Sequence, residues 1–493
     1  MLSKSLLIIA AVLTAAVVVV AAAAVVLTSN DGPGNPGNPN NPNNPTLPPI
    51  GTFSNIGPRD NNYDDPADGI HVATNGNDST ADGSRNRPYK SINAALGAAD
   101  PGDTIILHNG IYKEGREVRI TKSNITIKSA KGEWARIDLP FPANPMDQND
   151  GNSAIHYEPE VSGGKLQCIE VTGGWYAICT ESKWRWGGSD DYVATTGITI
   201  EDCRLHDSRF DVIKVKPNCD NITIQYNEIY NSGMAFPAGS SLTGENNAEG
   251  IDNVNGDNMI VRNNFIHDIC SNGVYAKGGA TNCLIENNHI ERAYGAGIMI
   301  GFDTNLEYFD TAVNPQYYEN INGVARNNLI VNTGWEGIGL YASKGAKVYN
   351  NTLVNVANVA SIRHSAIYFG IAPQDGTPFP GSPANVSPEI YNNIVSQPNN
   401  IVTSMVDIRY AVEQGHVLSA LSGNPTMYNN CYYIAGKTAA FSDGRTPNDT
   451  SMGLAGWKSH ISGESGSIEV NPGLDSNYKP ANSQCTGMGC KFA

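Results

Sequence analysis

The feature that most constrains this chain is a short phrase repeated along its middle: a glycine or other small residue, then apolar residues alternating with variable ones. It occurs as Val212-Ile213-Lys214-Val215-Lys216, Gly250-Ile251-Asp252-Asn253-Val254, Gly273-Val274-Tyr275-Ala276-Lys277, Gly297-Ile298-Met299-Ile300-Gly301, Gly337-Ile338-Gly339-Leu340-Tyr341 and Ala366-Ile367-Tyr368-Phe369-Gly370. Successive phrases start 38, 23, 24, 40 and 29 residues apart. A second phrase follows each, as in Val261-Arg262-Asn263-Asn264, Ile285-Glu286-Asn287-Asn288 and Val348-Tyr349-Asn350-Asn351. Each unit therefore holds at least two short strands separated by Asn and Gly turns. A unit of about 23 residues with period-2 alternation and no helical period predicts an all-β parallel solenoid, since helical repeats need a 3.6-residue period. The Asn-Asn pairs predict a stacked amide ladder at a turn where left-handed backbone is tolerated.

The segment Tyr89-Lys90-Ser91-Ile92-Asn93-Ala94-Ala95-Leu96-Gly97-Ala98-Ala99 is the one amphipathic helix candidate, and it directly precedes the first strand-like run. A solenoid exposes unpaired strands at its open end, so this helix is expected to cap it. Repeats add length to one continuous core, so 493 residues need not mean several domains. Lys plus Arg number 32 against 48 Asp plus Glu, a net charge of −16 that opposes binding to phosphate backbones and argues against nucleic acid as a partner. The nine cysteines include no CxxC, so neither a zinc framework nor a dense disulfide scaffold is indicated. Those at 168, 179, 203, 219, 270 and 283 are expected to fill the core, whereas Cys485 and Cys490 suit a small terminal disulfide loop.

At the N-terminus, residues 6–27 form an apolar run of 22 residues broken only by Thr14. This is longer than a signal-peptide core and close to a bilayer span, so residues 1–29 read as an export signal or a membrane anchor. Residues 30–59, rich in Pro, Asn and Gly, read as an extended spacer. Residues 60–493 are the folded domain, closing segment included. The localisation that follows is secreted or extracellular surface, as a monomer, with anchoring through residues 6–27 as one alternative.

Here a resemblance becomes specific. The stretch HVATNGNDSTADGSRNRPYKSINAALGAADPGDTIILHNGIYKE resembles the opening of extracellular right-handed parallel β-helix proteins of the pectate-lyase-like superfamily. Residues 198–395 resemble their coils, and residues 471–480, with Trp457 before them, resemble their closing segment. The resemblance implies a single-stranded right-handed parallel β-helix with an N-terminal capping helix. Lyases, hydrolases, epimerases and non-catalytic surface proteins share this fold, so the chemistry has to be argued from the residues.

Aligning the first phrase sorts its side chains, because alternate residues of a strand face opposite ways. Ile213, Ile251, Val274, Ile298, Ile338 and Ile367 fall inward. One outward column reads Lys214, Asp252, Tyr275, Met299, Gly339, Tyr368, and the next reads Lys216, Val254, Lys277, Gly301, Tyr341, Gly370. At roughly 4.8 Å per coil the six coils span a groove of about 25 Å, room for several sugars. Insertions at residues 231–248 and 302–322 attach at the ends of these strands as walls, the second carrying Tyr308, Phe309, Tyr317 and Tyr318.

Relatives by this resemblance cleave acidic polysaccharides by β-elimination, which needs a neutralised uronate carboxylate, a base for the C5 proton and an acid for the leaving oxygen. Lys214, Lys216 and Lys277 are basic groups on neighbouring coils whose mutual repulsion is expected to lower at least one pKa, with Tyr275, Tyr341 or Tyr368 as acid. Tyr341, Tyr368, Tyr308, Tyr317, Arg363 and His364 are candidate substrate contacts. Asp211, Glu249 and Asp252 are candidate oxygen ligands for Ca²⁺, although the Asp-Asp pair of calcium-dependent pectate lyases is missing from Ala248-Glu249-Gly250-Ile251-Asp252-Asn253. The expected partner is an anionic polysaccharide. Two other readings stay open: a non-catalytic glycan-binding or structural surface protein, in which the lysines form a solvated face, and a glycoside hydrolase using the same three carboxylates. His206-Asp207 and His267-Asp268 follow equivalent strands and mark a polar turn. As exposed strand residues, Lys214 and Lys277 are expected to be replaceable by Ala without loss of stability.

Overall fold

The computed structural model of the chain describes residues 53–144, 151–183, 193–236, 248–359, 364–371, 383–402, 404–413, 416–445 and 451–492. The expected signal or anchor and most of the spacer lie outside the described residues, as does Arg363.

Each coil places one short strand in each of three parallel sheets, of 12, 12 and 11 strands. One coil runs Thr223–Gln225 in the first sheet, Glu228–Tyr230 in the second and Ile251–Val254 in the third. A fourth ladder of five two-residue strands, from Ala280–Thr281 to Leu421–Ser422, closes the corner between third and first sheets. The register is the one the repeat implies: Ile213 lies opposite Ile251, Ile251 opposite Val274, Val274 opposite Ile298, Ile298 opposite Ile338 and Ile338 opposite Ile367. All six are buried in one continuous core.

The Asn pairs divide their labour. The first residue takes the left-handed backbone, with φ of 57° at Asn263, 55° at Asn287, 54° at Asn327 and 54° at Asn350. That turn aims the second residue inward, where Asn227, Asn264, Asn288, Asn328, Asn351, Asn393 and Asn430 form an unbroken amide ladder with Nδ2 to Oδ1 distances of 3.0–3.1 Å. Each side chain also accepts a backbone N–H from the previous coil and donates to a carbonyl, as Asn288 does with Asn264 N at 3.0 Å and Val261 O at 2.9 Å. The last rung is finished by Glu464, which accepts from Asn430 Nδ2 at 3.1 Å and from the Tyr432 hydroxyl at 2.6 Å.

Both open ends are covered. Helix α1, Ile92–Ala98, is capped by Ser91, whose hydroxyl accepts from Ala94 N at 3.2 Å, and it buries Ile92, Ala95 and Leu96 on the first coil. Helix α2, Leu454–Ile461, buries Trp457 against Phe441 at the far end, ring centroids 5.7 Å apart. Two tails then run along the Asn turns from opposite directions. Residues 53–59, read from the sequence as spacer, dock Gly57 N on Asn263 O at 2.9 Å and Arg59 on Asp202. The closing segment docks Gly489 N on Asn392 O at 2.8 Å, and the tails meet where Phe53 packs on Phe492 at 4.7 Å.

The terminal cysteines do not pair with each other. Cys490 packs with Leu329, Val331, Val354 and Phe492, whereas Cys485 faces Cys431, so the expected Cys485–Cys490 loop is replaced by a different neighbourhood. Because Asn288 serves three buried partners, Asn288→Ala should cost about 3 kcal/mol, read as a lower urea midpoint at unchanged slope.

Candidate active site

The outward face of the third sheet carries the expected columns. Lys214 lies opposite Asp252, Asp252 opposite Tyr275, Tyr275 opposite Met299, Met299 opposite Gly339 and Gly339 opposite Tyr368. In the second column Val254 lies opposite Lys277 and Tyr341 opposite Gly370. Gly370 has to be glycine here, because a Cβ on it would sit 1.8 Å from the Tyr341 ring.

A third column, just before each strand, supplies the acids. Asp211, Glu249, Asn272, Ala296 and Glu336 stack on successive coils, linked by backbone bonds such as Gly250 N to Asn272 O at 3.0 Å and Gly297 N to Glu336 O at 3.0 Å. Three of their side chains also link one coil to the next. Asp211 Oδ1 accepts from Glu249 N at 3.0 Å, Glu249 Oε1 accepts from Asn272 Nδ2 at 3.2 Å, and Asn272 Oδ1 accepts from Ala296 N at 2.7 Å. The column is legible in the sequence as the residue preceding the first residue of each phrase, a regularity the column reading above leaves unused.

Asp211, Glu249 and Asp252 converge, one oxygen of each within 4.8 Å of the others, and none is more than 1 % exposed. Lys214 Nζ bonds Asp252 Oδ2 directly and lies 3.4 Å from Asp211 Oδ2. Lys277 Nζ lies 4.6 Å from the Tyr275 ring centre. The electrostatics follow from this packing. Burial opposes charge on Lys214, but Asp252 and Asp211 outweigh it and hold the lysine well above its ordinary pKa. Burial also opposes charge on Asp252, where Lys214 and Lys277 together pull the carboxyl below its usual value. On Glu249, burial and the adjacent Asp211 outweigh the opposing pull of Lys277 and push the carboxyl well above its ordinary value. Asp211 is raised by the same burial, with Lys214 opposing.

Two expectations change. Lys216 is not depressed overall: burial and Lys214 lower it, but Cys179 and Glu181, the latter bound at 2.6 Å, outweigh them and raise it. Lys216 therefore belongs to another cluster, around His156, Cys179 and Glu181. Tyr275 is buried with its hydroxyl 2.7 Å from Asn272 Nδ2, and burial drives its pKa up, so it lies beneath the lysines rather than in the groove. The three carboxylates offer one oxygen each to a cation, and Asp211 Oδ2 and Asp252 Oδ1 accept no hydrogen bond, while Lys214 lies between Asp211 and Asp252 and Ca²⁺ takes six to eight oxygens.

The candidate substrate contacts form a separate aromatic cluster farther along the same face. Tyr341 donates its hydroxyl to Glu336 Oε1 at 2.8 Å, and His364 Nδ1 is 2.5 Å from Glu336 Oε2. Trp335 stacks on His364 at 5.0 Å, and Phe302 lies between Tyr275 and Tyr341 at 5.4 and 5.2 Å. Tyr341 and Tyr368 are thus packing residues with buried rings, and Trp335, Glu336 and Phe302 are the members absent from the sequence reading. Tyr317 packs edge-on against Phe309 at 5.5 Å. Tyr308 is half-buried on the 302–322 wall, within electrostatic reach of Lys214, Lys216 and Asp252. His206 and His267 stand on the second sheet, stacked on either side of Tyr230 at 4.5 and 5.0 Å, which makes them parts of a polar turn.

Lys214 is only 12 % exposed and paired to buried acids, so its replacement is not neutral as the sequence suggested. Lys214→Ala should lower unfolding stability by about 3 kcal/mol or more, and Lys214→Met with Asp252→Leu should recover most of it. Glu249 gives a pH test with a definite sign. The unfolded chain ionises it above about 4.5 while the folded protein holds its proton to higher pH, so it costs stability as pH rises. Glu249→Gln should therefore gain stability on the wild type from pH 4.5 to 8, measured by denaturant unfolding.

Residues 190–370 match the family model for the right-handed β-helix region, and residues 74–119 match a family of unknown function, DUF1565. No curated protein matches the sequence. Among solved structures, pectate lyase Pel9A is 16% identical, with a TM-score of 0.37 over 76% of this chain and 78% of its own. The A-module of the mannuronan C-5 epimerase AlgE4 from Azotobacter vinelandii is 13% identical, with a TM-score of 0.45 over 69% of this chain and 89% of its own. Endopolygalacturonase I from Stereum purpureum is 13% identical, with a TM-score of 0.45 over 77% of this chain and 98% of its own. Three parallel sheets wound by a 23-residue coil, with the family match across the central coils, make this chain a right-handed parallel β-helix protein.

Proposed function

We propose that the chain is a polysaccharide-active enzyme working outside the cell, and that it cleaves a uronate-containing polysaccharide by β-elimination along the outer face of the third sheet. The observation that carries this reading is the pair of lysines flanking Asp252: one held charged by buried acids, the other with no ion pair among the described residues. In a protein of net charge −16, a cationic spot backed by sealed carboxylates suits an anionic sugar.

The roles follow from the environments. Lys214, kept as ammonium, neutralises the uronate carboxylate and so makes the C5 proton easier to remove. Lys277 takes that proton. Tyr308, on the wall beside them, protonates the leaving oxygen. Asp211 and Asp252 hold Lys214 in place, and no step runs through calcium. The export signal or anchor at residues 6–27 and the spacer after it put the domain at or beyond the cell surface.

The opposite shifts of Glu249, raised by burial and Asp211, and Asp252, lowered by Lys214 and Lys277, support a second reading, glycoside hydrolysis by an acid and base pair. It requires that two carboxyls closed to solvent open when substrate binds.

One experiment separates these. The full chain is incubated with pectic, alginate and glycosaminoglycan polymers, with and without chelator, while absorbance at the unsaturated-uronate band and new reducing ends are followed. β-Elimination predicts rising absorbance that chelator does not affect. It also predicts a loss of at least about 100-fold in Lys277→Ala, with little change in Lys216→Ala; Lys277 is 9 % exposed rather than exposed as the sequence suggested, so activity is compared at equal concentrations of folded protein. New reducing ends without absorbance would mean hydrolysis, and neither product would mean a protein that binds glycan or serves as a structural element.

A further inference from the structure

Cys431 and Cys485 face each other across the junction between the last coils and the closing segment. Their Sγ atoms are 3.4 Å apart, and both residues are fully buried. Cys431 opens the strand Cys431–Ile434 of the second sheet, between Ile394 on the coil before and Ile468 on the coil after. Cys485 ends a 3₁₀ turn, Ser483–Cys485, held by the Asn482 side chain accepting from Gln484 N at 3.0 Å. The two thiols share an apolar envelope of Ile394, Ile468, Val470, Leu474 and Met488. Two strongly anchored backbones thus bring a pair of cysteines 54 residues apart into contact, in a setting where neither is exposed.

We propose that Cys431 and Cys485 form a disulfide that fastens the closing segment to the solenoid, independent of the catalytic reading. The chemistry is exchange with a small or protein disulfide oxidant. The Cys485 thiolate attacks the oxidant's S–S bond, making a mixed disulfide and releasing one thiol. The Cys431 thiolate then attacks Cys485 Sγ, forming the Cys431–Cys485 bond and releasing the second thiol. Two protons leave the cysteines and two electrons pass to the oxidant. Burial pushes the Cys431 thiol up and closes both sulfurs to solvent, so the bond forms before the segment docks or while it is transiently detached. Once docked, it is shielded from reductant by the same envelope.

The bond has structural leverage. The loop it closes contains helix α2 and the final strand Ile468–Glu469, which together cover the open end. Beyond Cys485 the segment runs back along the coils, with Asn350 Nδ2 donating to Gly487 O at 3.0 Å and Cys490 N donating to Thr352 Oγ1 at 2.9 Å, until Phe492 reaches Phe53. A covalent link at the start of this path keeps the cap and the tail from peeling away together.

The test uses the full chain, purified from an oxidising export route and, in parallel, reduced, unfolded and refolded in a glutathione and glutathione disulfide buffer. Iodoacetamide alkylation in denaturant is followed by intact mass and peptide mapping. The expected result is two fewer alkylated cysteines than in the reduced protein and a linked peptide pair containing Cys431 and Cys485. Dithiothreitol should break the bond readily only when denaturant is present. Thermal unfolding of the oxidised protein should fall by about 5 °C in Cys485→Ser, and the gap should close when both are unfolded in reductant. Cys490→Ser should keep the linked peptides. Alkylation of all nine cysteines after both routes, or a Cys485–Cys490 link, would overturn the proposal.

Discussion

Everything in this molecule depends on each coil lying in register with the next. A parallel strand shifted by one residue turns its inward side chains outward, so a single slip would expose a column of isoleucine and valine. Two devices hold the register. The apolar columns make any slip costly, and the amide ladder from Asn227 to Asn430 permits one alignment only, because each amide must meet the next as donor and acceptor at once. The left-handed first residue of each Asn pair makes that aim possible, which is why a turn residue governs the core.

The same register creates the candidate site. Residues far apart in sequence become neighbours about 4.8 Å apart, a spacing at which like charges repel by several kcal/mol in a poorly solvated setting. The groove handles this by alternating sign between coils: Lys214 over Asp252, with Lys277 on the next coil. Glu249, where burial and Asp211 outweigh Lys277, is pushed toward its protonated form instead. Stacking therefore favours charge on Lys214 and Asp252 and disfavours it on Glu249, so that two carboxyls alike in solution are driven in opposite directions.

The periphery follows a different logic. Covering the ends needs helices because strands there have no further partner. The two tails use the carbonyls and amides of the Asn turns, groups that the ladder leaves facing outward, so the feature that sets the register also provides the docking strip for residues 53–59 and 487–492.

The sequence by itself determined the architecture, the capping helix, the amide ladder and the outward columns, because each is a property of strict repetition: period 2 says which way a side chain faces, and phrase spacing says which residue lies above which. It also brought Lys214, Lys277, Asp211, Glu249 and Asp252 to one face. What it could not determine is depth and partner choice. Tyr275, Tyr341 and Tyr368 alternate outward as expected, yet Phe302 and Trp335 arrive from loops and bury them. Lys216 points outward and is claimed by Glu181 from an earlier coil. Cys485 lies five residues from Cys490 but packs on Cys431, because the closing segment folds back over the coils. Direction is local, set by backbone alternation; burial, ionisation and pairing depend on atoms that only the tertiary fold brings near, and those decide which side chains are left to do chemistry.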